Sequence, residues 1–265
     1  MDDLSELDVF YRDTGNALEI IGGLPSSCFY RFPGLLNSFI MATGINSADE
    51  NWVWIKNEDY SRELLIEVIK MYEKKSLQFM WPVFPDSNIQ MESDMDEFGL
   101  FARATFNAMI FDSKTDSSHK IHSSELKLLT KMAITSEDAS LWADTCWKGF
   151  SSEEETPPPE FVRFAQNAVL NDKLILKLGF IENKPVGTYL LCAGSGVYIS
   201  HFTILSKLRN IGIGSLFMNE IMNYNSSVNN RFLVLLSTQS GRGLYSKFGF
   251  RNIADVTIRS FSEDI

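Results

Sequence analysis

The sequence predicts a mixed α/β protein built from two parts, and three observations lead to that prediction. Over residues 124–265, short apolar runs typical of strands alternate with amphipathic segments typical of helices. The first 112 residues carry apolar runs and an amphipathic helix of their own. Residues 113–123 have no apolar periodicity and are rich in turn-forming residues. We therefore expect an N-terminal domain at 1–112, a linker at 113–123 and a C-terminal domain at 124–265.

The predicted elements of the C-terminal part follow the order strand, helix, helix, three strands, glycine loop, helix, strand, helix and strand. Ser136 is the expected N-cap of the first helix, because it precedes acidic residues and its hydroxyl can accept a hydrogen bond from a helical N–H. The clearest segments are strands at 126–132, 174–182, 186–193, 197–205 and 232–237, and helices at 136–148, 160–171 and from 216 onward.

The N-terminal part is less regular. The predicted segments are strands at 38–41, 52–55, 77–85 and 101–111, and helices at 60–74 and 95–99. Arg31 and Gly34 are spaced like the start of a phosphate loop, but Leu36 stands where a second glycine would be needed. We therefore expect no cofactor in this part.

The most informative segment is a glycine loop between the predicted strand at 197–205 and the helix that follows it. It reads Arg209-x-x-Gly212-x-Gly214. A strand, a glycine loop and a helix start bring several backbone N–H groups and the positive end of the helix dipole to one point. Such a point can hold a phosphate or pyrophosphate, although two glycines before a helix can also form a simple tight turn.

A second segment follows about thirty residues later, with Leu244-Tyr245 and then Gly249-Phe250. Together the two segments resemble the GNAT superfamily of N-acetyltransferases. The resemblance implies a GNAT fold, with a mixed central sheet flanked by helices. Phe79 to Pro85, Gly99-Leu100 and Met109 further resemble the N-terminal half of tandem members. The N-terminal domain is accordingly expected to be a degenerate GNAT-like domain or an unrelated α+β domain.

The resemblance also implies acetyl-CoA as the acyl donor and assigns residues to it. In the family the loop holds the pyrophosphate, the preceding strand pairs with the pantetheine arm, and the tyrosine faces the thioester sulfur. Many members carry Asn and Ala where this chain has Thr238 and Gly241. The implied cofactor-binding residues are Phe202, Thr203, Ile204, Leu205, Arg209, Asn210, Ile211, Gly212, Ile213, Gly214, Ser215, Thr238 and Gly241.

Two residues are candidates for proton transfer. The resemblance implies Tyr245 as the general acid that protonates the leaving thiolate. The strand at 197–205 contains no carboxylate, so His201, the group there that titrates near neutral pH, is the candidate base. A packing role for either residue is the alternative. By strand alternation His201, Thr203 and Leu205 share one face of the predicted strand, and Ser200, Phe202 and Ile204 share the other.

The side of the site that would bind the acceptor amine has its own candidate residues. They are the carboxylates of Asp144, Glu153 to Glu155 and Asp172.

These features predict an N-acetyltransferase that acts on a primary amine, either a small molecule or a protein lysine or N-terminus. A non-catalytic acyl-CoA sensor or interaction protein is the alternative.

A formal net charge of −10 disfavours nucleic acid as a partner. The sequence contains no apolar run long enough to span a membrane, so we expect no transmembrane helix. The three scattered cysteines are compatible with the reducing cytoplasm. We expect no metal, because His119 and His122 lack further ligands nearby in sequence. Self-association into a homodimer stays open.

Overall fold

The structure is a computed structural model of the 265-residue chain and describes residues 4–35, 37–85, 87, 89–115, 126–152, 154–261 and 263. These residues form seven α-helices and eleven β-strands. The helices are α1 (Glu6–Gly22), α2 (Arg62–Lys75), α3 (Ile89–Glu97), α4 (Ser136–Phe150), α5 (Pro159–Ala168), α6 (Ile213–Ser227) and α7 (Gln239–Lys247). The strands are β1 (Cys28–Arg31), β2 (Phe39–Ala42), β3 (Asn51–Trp54), β4 (Trp81–Val83), β5 (Phe101–Asp112), β6 (Leu129–Met132), β7 (Leu174–Ile181), β8 (Lys184–Ala193), β9 (Val197–Ile204), β10 (Phe232–Ser237) and β11 (Arg251–Ser260).

The strands form two sheets. A three-stranded antiparallel sheet has the order β1-β2-β3, and an eight-stranded sheet has the order β4-β11-β5-β10-β9-β8-β7-β6. In the larger sheet β6 to β9 are antiparallel neighbours, whereas β9 and β10 run parallel. The larger sheet is therefore mixed, as the predicted fold class requires.

The chain divides into two compact units whose boundaries differ from the predicted domains. The first unit contains residues 1–108, 237–239 and 252–265, and the second contains residues 109–236 and 240–251. The C-terminal strand therefore belongs largely to the first unit. Most of the predicted linker at 113–123 lies outside the described residues, as do His119 and His122. The functional division of the chain between 1–112 and 124–265 stays a prediction.

The order of elements predicted for the C-terminal part is confirmed, from β6 through α4, α5, β7, β8, β9, α6, β10 and α7 to β11. Their bounds differ by a few residues at the ends. The N-cap of α4 is Thr135 rather than Ser136, since the Thr135 hydroxyl accepts a 3.1 Å hydrogen bond from the N–H of Asp138. The turn between β7 and β8 places Glu182 and Asn183 at positive φ and joins the two strands as an antiparallel hairpin.

The N-terminal part departs further from its prediction. Helix α1 and strand β1 were not predicted, and α3 begins at Ile89 rather than at residue 95. The predicted strand at 77–85 is reduced to the three residues of β4. Pro82 lies at its centre and has no N–H to donate, which is compatible with β4 because β4 pairs only with β11 at the end of the sheet.

Candidate functional site

Strand β9 carries an irregularity at the residue predicted as a base. Its ladder with β8 pairs Thr188 with Thr203 and Leu190 with Ser200, so one residue of β8 lies opposite two residues of β9. His201 lies in this β-bulge with a left-handed backbone, at φ 49°. A bulge of this kind redirects side chains and bends the strand. The position of His201 therefore follows from the bulge rather than from regular alternation alone.

The imidazole of His201 lies among aromatic rings of α4 and α5. Its centroid is 5.5 Å from that of Trp142, 6.0 Å from that of Phe161 and 5.7 Å from that of Phe164, on which it stacks. Its Nδ1 is 3.0 Å from the hydroxyl oxygen of Ser200. The ring is partly buried. Its orientation is thus set by packing on one side and by a neighbouring hydroxyl on the other.

The side chain next to it, Phe202, packs against a different set of residues. Its ring lies 5.8 Å from Phe217 of α6 and 5.8 Å from Tyr245 of α7. His201 and Phe202 therefore occupy opposite faces of β9, as predicted. The alternation is broken before them, because Ile199 belongs to the same core as Phe202. This change of face is the local consequence of the bulge.

Strands β9 and β10 separate along their length. Their parallel ladder contains the pairs Leu233–Val197 and Val234–Tyr198, although both strands continue for several residues beyond them. The bulged half of β9 therefore has a backbone edge that is not paired with β10. Such an edge can accept hydrogen bonds from, and donate them to, an extended amide-containing chain.

The glycine loop lies between β9 and α6 and presents consecutive backbone amides. Gly212 is the N-cap of α6 with φ 99°, and its carbonyl accepts hydrogen bonds from the N–H groups of Ser215 and Leu216. Asn210 also has a positive φ, of 65°. Five successive N–H groups before Ser215 make no hydrogen bond with any described residue. They are those of Asn210, Ile211, Gly212, Ile213 and Gly214.

These amides form a site suited to an anion. Free N–H groups at a helix start carry partial positive charge, and the helix dipole adds to it. Residues 209–212 are exposed, so an anion has access to the loop. An L-residue other than Asn or Gly rarely adopts the backbone conformation of Gly212.

Gly214 allows close packing beneath the loop. A Cβ at Gly214 would lie 3.0 Å from Leu244 Cδ2 and 3.5 Å from Ile204 Cδ1. That Cβ would point into the packing of α6 against α7 and β9. The reason is that the backbone sets the Cβ direction in a helix, and this glycine lies in the first turn of α6.

Arg209 is held by main-chain carbonyls. Its Nε donates to the carbonyl of Ile204 at 3.0 Å, and its guanidinium NH2 donates to the carbonyl of Gly149 at 2.5 Å. Gly149 lies in the last turn of α4. The arginine thereby ties the end of α4 to the end of β9, just before the loop begins.

Gly149 is also in close contact with β9, and its importance was not predicted. A Cβ at this position would lie 2.5 Å from both Cγ2 and Oγ1 of Thr203. Thr203 was assigned to the cofactor, but its side chain contacts α4 on the His201 face of the strand. In the sequence, Gly149 is simply a glycine near the end of a predicted helix. Many helices end this way, so the sequence does not reveal the contact with Thr203.

We expect Gly149→Ala to destabilise the chain by about 1–3 kcal/mol, because the added methyl group overpacks this contact. Adding Thr203→Ala should recover part of the loss, since it removes Cγ2 and Oγ1, the two atoms that the methyl group meets most closely. Gly243→Ala is the matched control, as its Cβ has nothing within 4 Å and helical alanine is favoured over glycine. Urea denaturation measures all three, and equal stability of Gly149→Ala and Gly243→Ala would contradict the contact.

Tyr245 lies on α7 with 8 % of its surface exposed. Its ring packs against Phe202 and Phe250 at 5.8 Å between centroids. Burial raises the pKa of its phenol above the ordinary value, and the nearby phenol of Tyr198 raises that pKa further. The hydroxyl therefore stays protonated at neutral pH. Tyr198 was not predicted as a neighbour of this site.

The remaining predicted residues are distributed around these elements. Leu205 donates its N–H to the carbonyl of Val186 at 3.0 Å, so its backbone amide is already used on the β8 side. Thr238 is exposed just before α7, and Gly241 lies in its first turns. Among the acceptor-side carboxylates, Asp144 pairs with Lys148 at 2.8 Å.

The described residues contain no group of three or more His, Cys, Asp or Glu side chains arranged to hold a metal ion. In the same part of the chain, no helix combines the length and apolar character that crossing a bilayer requires.

Comparisons with known proteins identify similar domains and folds. Residues 151–262 match the family model described as an acetyltransferase (GNAT) domain. A search of curated proteins found no match. The fold is similar to a GCN5-related N-acetyltransferase from Kribbella flavida, with a TM-score of 0.67 at 9% identity over 97% of this chain and 96% of that one.

Two other solved structures share the fold. A tandem GNAT protein from the clavulanic acid biosynthesis pathway gives a TM-score of 0.58 at 9% identity, covering 96% of this chain and 95% of that one. A GCN5-related N-acetyltransferase from Sphaerobacter thermophilus also gives 0.58, at 11% identity over 84% and 76%. At such low identities these structures establish the fold alone. The first two of the three cover nearly the whole chain.

Proposed function

We propose that the chain transfers an acetyl group from acetyl-CoA to a primary amine, in line with the match of residues 151–262 to the GNAT acetyltransferase model. The observation that carries the proposal is the row of five backbone amides at residues 210–214, none of which has a hydrogen-bond partner in the described part of the chain. The row lies directly after the strand edge that β10 leaves unpaired. A pyrophosphate joined to an amide-containing arm is the chemistry that fits both features.

The proposed cofactor contacts follow from these positions. The amides of residues 210–214 and the Ser215 hydroxyl bind the pyrophosphate, and the backbone of Phe202 to Ile204 pairs with the pantetheine arm. Arg209 supports the loop by holding the carbonyls of Ile204 and Gly149. We assign it a positioning role. Thr238 and Gly241 remain candidates for contacts to the arm.

Tyr245 is the proposed general acid. When a neutral amine attacks the acetyl carbonyl, the C–S bond breaks and the thiolate needs a proton, which the phenol can donate. Because burial raises the pKa of Tyr245, this acid form is retained across neutral and mildly alkaline pH. Activity should therefore show no alkaline loss from this group below about pH 10.

His201 is the proposed base that takes the proton from the attacking amine. It lies on the face of β9 opposite Phe202 and Tyr245, so the base and the acid approach the strand from opposite sides. The Ser200 hydroxyl at its Nδ1 can fix the tautomer. The aromatic rings around His201 also suit a role in packing alone. Substitutions at His201 distinguish the role of a base from the role of a packing residue.

We expect His201→Gln to reduce turnover about 10²-fold or more. His201→Phe keeps the aromatic packing without a proton acceptor and should behave like His201→Gln. Turnover of the wild-type rate in folded His201→Phe would show that His201 only packs.

A thiol-release assay with acetyl-CoA and a panel of amines tests the proposed function. The panel should contain diamines, amino sugars and lysine-containing peptides, because the acceptor class is open. Turnover with any amine supports an acetyltransferase. Saturable coenzyme A binding without turnover across the panel would favour the non-catalytic acyl-CoA sensor. We place the reaction in the cytoplasm, with acetyl-CoA and an amine as the partners.

A further inference from the structure

Strand β5 is twelve residues long, and only its second half is buried. We propose that its first half, residues 101–106, has an open edge on the β10 side that binds an extended basic peptide as an added strand. The proposal does not depend on acetyl transfer, because residues 101–106 all belong to the first compact unit. It rests on the length of β10, on the exposure along β5 and on the charge of the first unit.

The neighbouring strand β10 is too short to pair with all of β5. The N–H of Ser113, just after β5, donates to the carbonyl of Arg231, just before β10, at 2.9 Å. Because the end of β5 meets the start of β10 and the strands are neighbours in the sheet, they run antiparallel. Counting from this pair places Ser237, the last residue of β10, opposite Asn107. Residues 101–106 therefore extend beyond the end of β10.

The exposure of β5 changes at the residue where β10 ends. Residues 107–112 are all buried, whereas residues 101–106 are exposed or half-buried. Phe101 is 48 % exposed, although β5 lies inside an eight-stranded sheet rather than at one of its ends. The uncovered half of the strand is thus the half that has no β10 beside it.

Three residues direct their backbone groups towards the open edge. Alternate residues of an antiparallel strand bond to the same neighbour, and Ser113 bonds on the β10 side. The N–H and C=O groups of Phe101, Arg103 and Thr105 therefore face the side that β10 leaves free. Within the described ranges, no residue outside a strand hydrogen-bonds to these groups. Such a row of backbone groups is what an added strand pairs with.

The side chains along the open edge leave room for a partner. Ala102, Ala104 and Thr105 are small, and Ala102 and Thr105 are exposed. The larger Arg103 reaches towards β11, on the other side of β5, because its Nε donates to the carbonyl of Ser260 at 3.2 Å. An incoming strand would therefore meet mostly small side chains.

The charge of the first unit favours a basic partner. Its residues, 1–108, 237–239 and 252–265, include 21 acidic and 9 basic side chains, which gives a formal net charge of −12. The second unit has 13 acidic and 15 basic side chains. The acidity of the whole chain thus comes from the unit that has the open edge, and opposite charge attracts and orients a partner.

Two carboxylates of this unit lie near the open edge itself. Asp255 accepts a 2.7 Å hydrogen bond from the side-chain amide of Asn107, next to the inner end of the edge. Glu263 lies 3.8 Å from Arg103, and its side chain is 88 % exposed. Lysine or arginine side chains of an added strand can reach these carboxylates while its backbone pairs with β5. An extended basic peptide satisfies both requirements, whereas an acidic or helical partner does not.

Fluorescence anisotropy on the full chain tests the proposal with labelled, capped peptides in which threonine alternates with a charged residue. We expect the lysine–threonine peptide to bind saturably. The glutamate–threonine peptide should bind about tenfold more weakly or less, because its charge is repelled. Absence of binding by the lysine–threonine peptide, or equal binding of the two, overturns the proposal.

N-methylated peptides separate strand addition from attraction between charges alone. Methylation of alternate amides removes every N–H on one edge of an extended peptide and keeps its charge. Methylation of one set, the lysine amides or the threonine amides, should weaken binding to the wild-type chain about tenfold or more, because the bonds to β5 are lost. Methylation of the other set should be tolerated. Equal binding of the two methylated peptides contradicts strand addition.

Variants then locate the site on the chain. Thr105→Pro removes an N–H that faces the open edge and should weaken binding of the lysine–threonine peptide about tenfold or more. Thr105→Val keeps that N–H, is the matched control and should bind like the wild type. Glu263→Gln should also weaken binding, whereas Glu67→Gln, at an exposed position of α2, should not.

Two further measurements complete the test. Circular dichroism shows which variants are folded, and the methylated peptides decide on the wild-type chain even if Thr105→Pro does not fold. Folded Thr105→Pro that binds as tightly as Thr105→Val overturns the proposal. Sedimentation velocity without peptide tests a second copy as the occupant of the open edge. A wild-type dimer that dissociates in folded Thr105→Pro would overturn the proposal in favour of self-association.

Discussion

Replacing Gly212 by valine is expected to abolish coenzyme A binding while leaving a folded chain. Gly212 is the N-cap of α6 at φ 99°, a conformation that a β-branched residue strongly disfavours. Valine would turn the backbone at this residue, and the row of free amides at residues 210–214 would no longer converge. We expect the affinity measured by calorimetry to fall 10²-fold or more, since several charge-assisted hydrogen bonds are lost at once.

The control for this variant is Gly34→Val in the first unit. Gly34 has φ 83°, and its Cβ would meet nothing within 4 Å, so it carries a comparable backbone strain without affecting the loop. It should retain the coenzyme A affinity of the wild type. If folded Gly212→Val binds as tightly as Gly34→Val, the phosphate-loop assignment is wrong.

Tyr245→Phe is expected to lower kcat about 10²-fold or more while the affinity for coenzyme A changes little. The substitution removes one hydroxyl and keeps the ring that packs against Phe202 and Phe250. The lost group is the proposed proton donor to the thiolate. Single-turnover kinetics measures the chemical step, and calorimetry measures binding.

Tyr224→Phe provides the matched control for Tyr245→Phe. Tyr224 lies on α6, packs against the same core and likewise has a pKa raised by burial. It plays no part in the proposed reaction, so its kcat should be unchanged. Equal kcat for the two variants would remove Tyr245 from the mechanism. A fall in coenzyme A affinity in step with kcat would instead indicate a packing role.

The C-terminal part of the fold was predictable because its signals are local. Each strand and helix from β6 to β11 carries its own apolar period and its own turn or capping residues. Helix α1 was not predicted, because its local apolar pattern is interrupted by buried polar residues. Asp13 and Thr14 are buried on its inner side at 3 % and 0 % exposure. A buried acid paired with Arg12 interrupts the apolar pattern from which a helix is recognised.

The site was predictable in its residues more than in their roles. The positions of Gly212 and Tyr245 follow from motif spacing, and the structure places both around β9. The inward direction of a Gly214 Cβ and the contact between Gly149 and Thr203 depend on how α4 and α7 pack. Such packing joins residues far apart in the chain, which no local pattern encodes. The bulge at His201 likewise depends on the pairing of β8 with β9.

The position of β11 has a consequence for biosynthesis. The first compact unit needs residues 252–265, and β11 lies between β4 and β5 in the sheet. A ribosome makes these residues only after residues 109–251, so β4 stays without its register partner until the second unit has been synthesised. N-terminal domains commonly fold first during synthesis. In this chain the first unit is completed only after the second, and a stop codon shortly before residue 252 would remove β11.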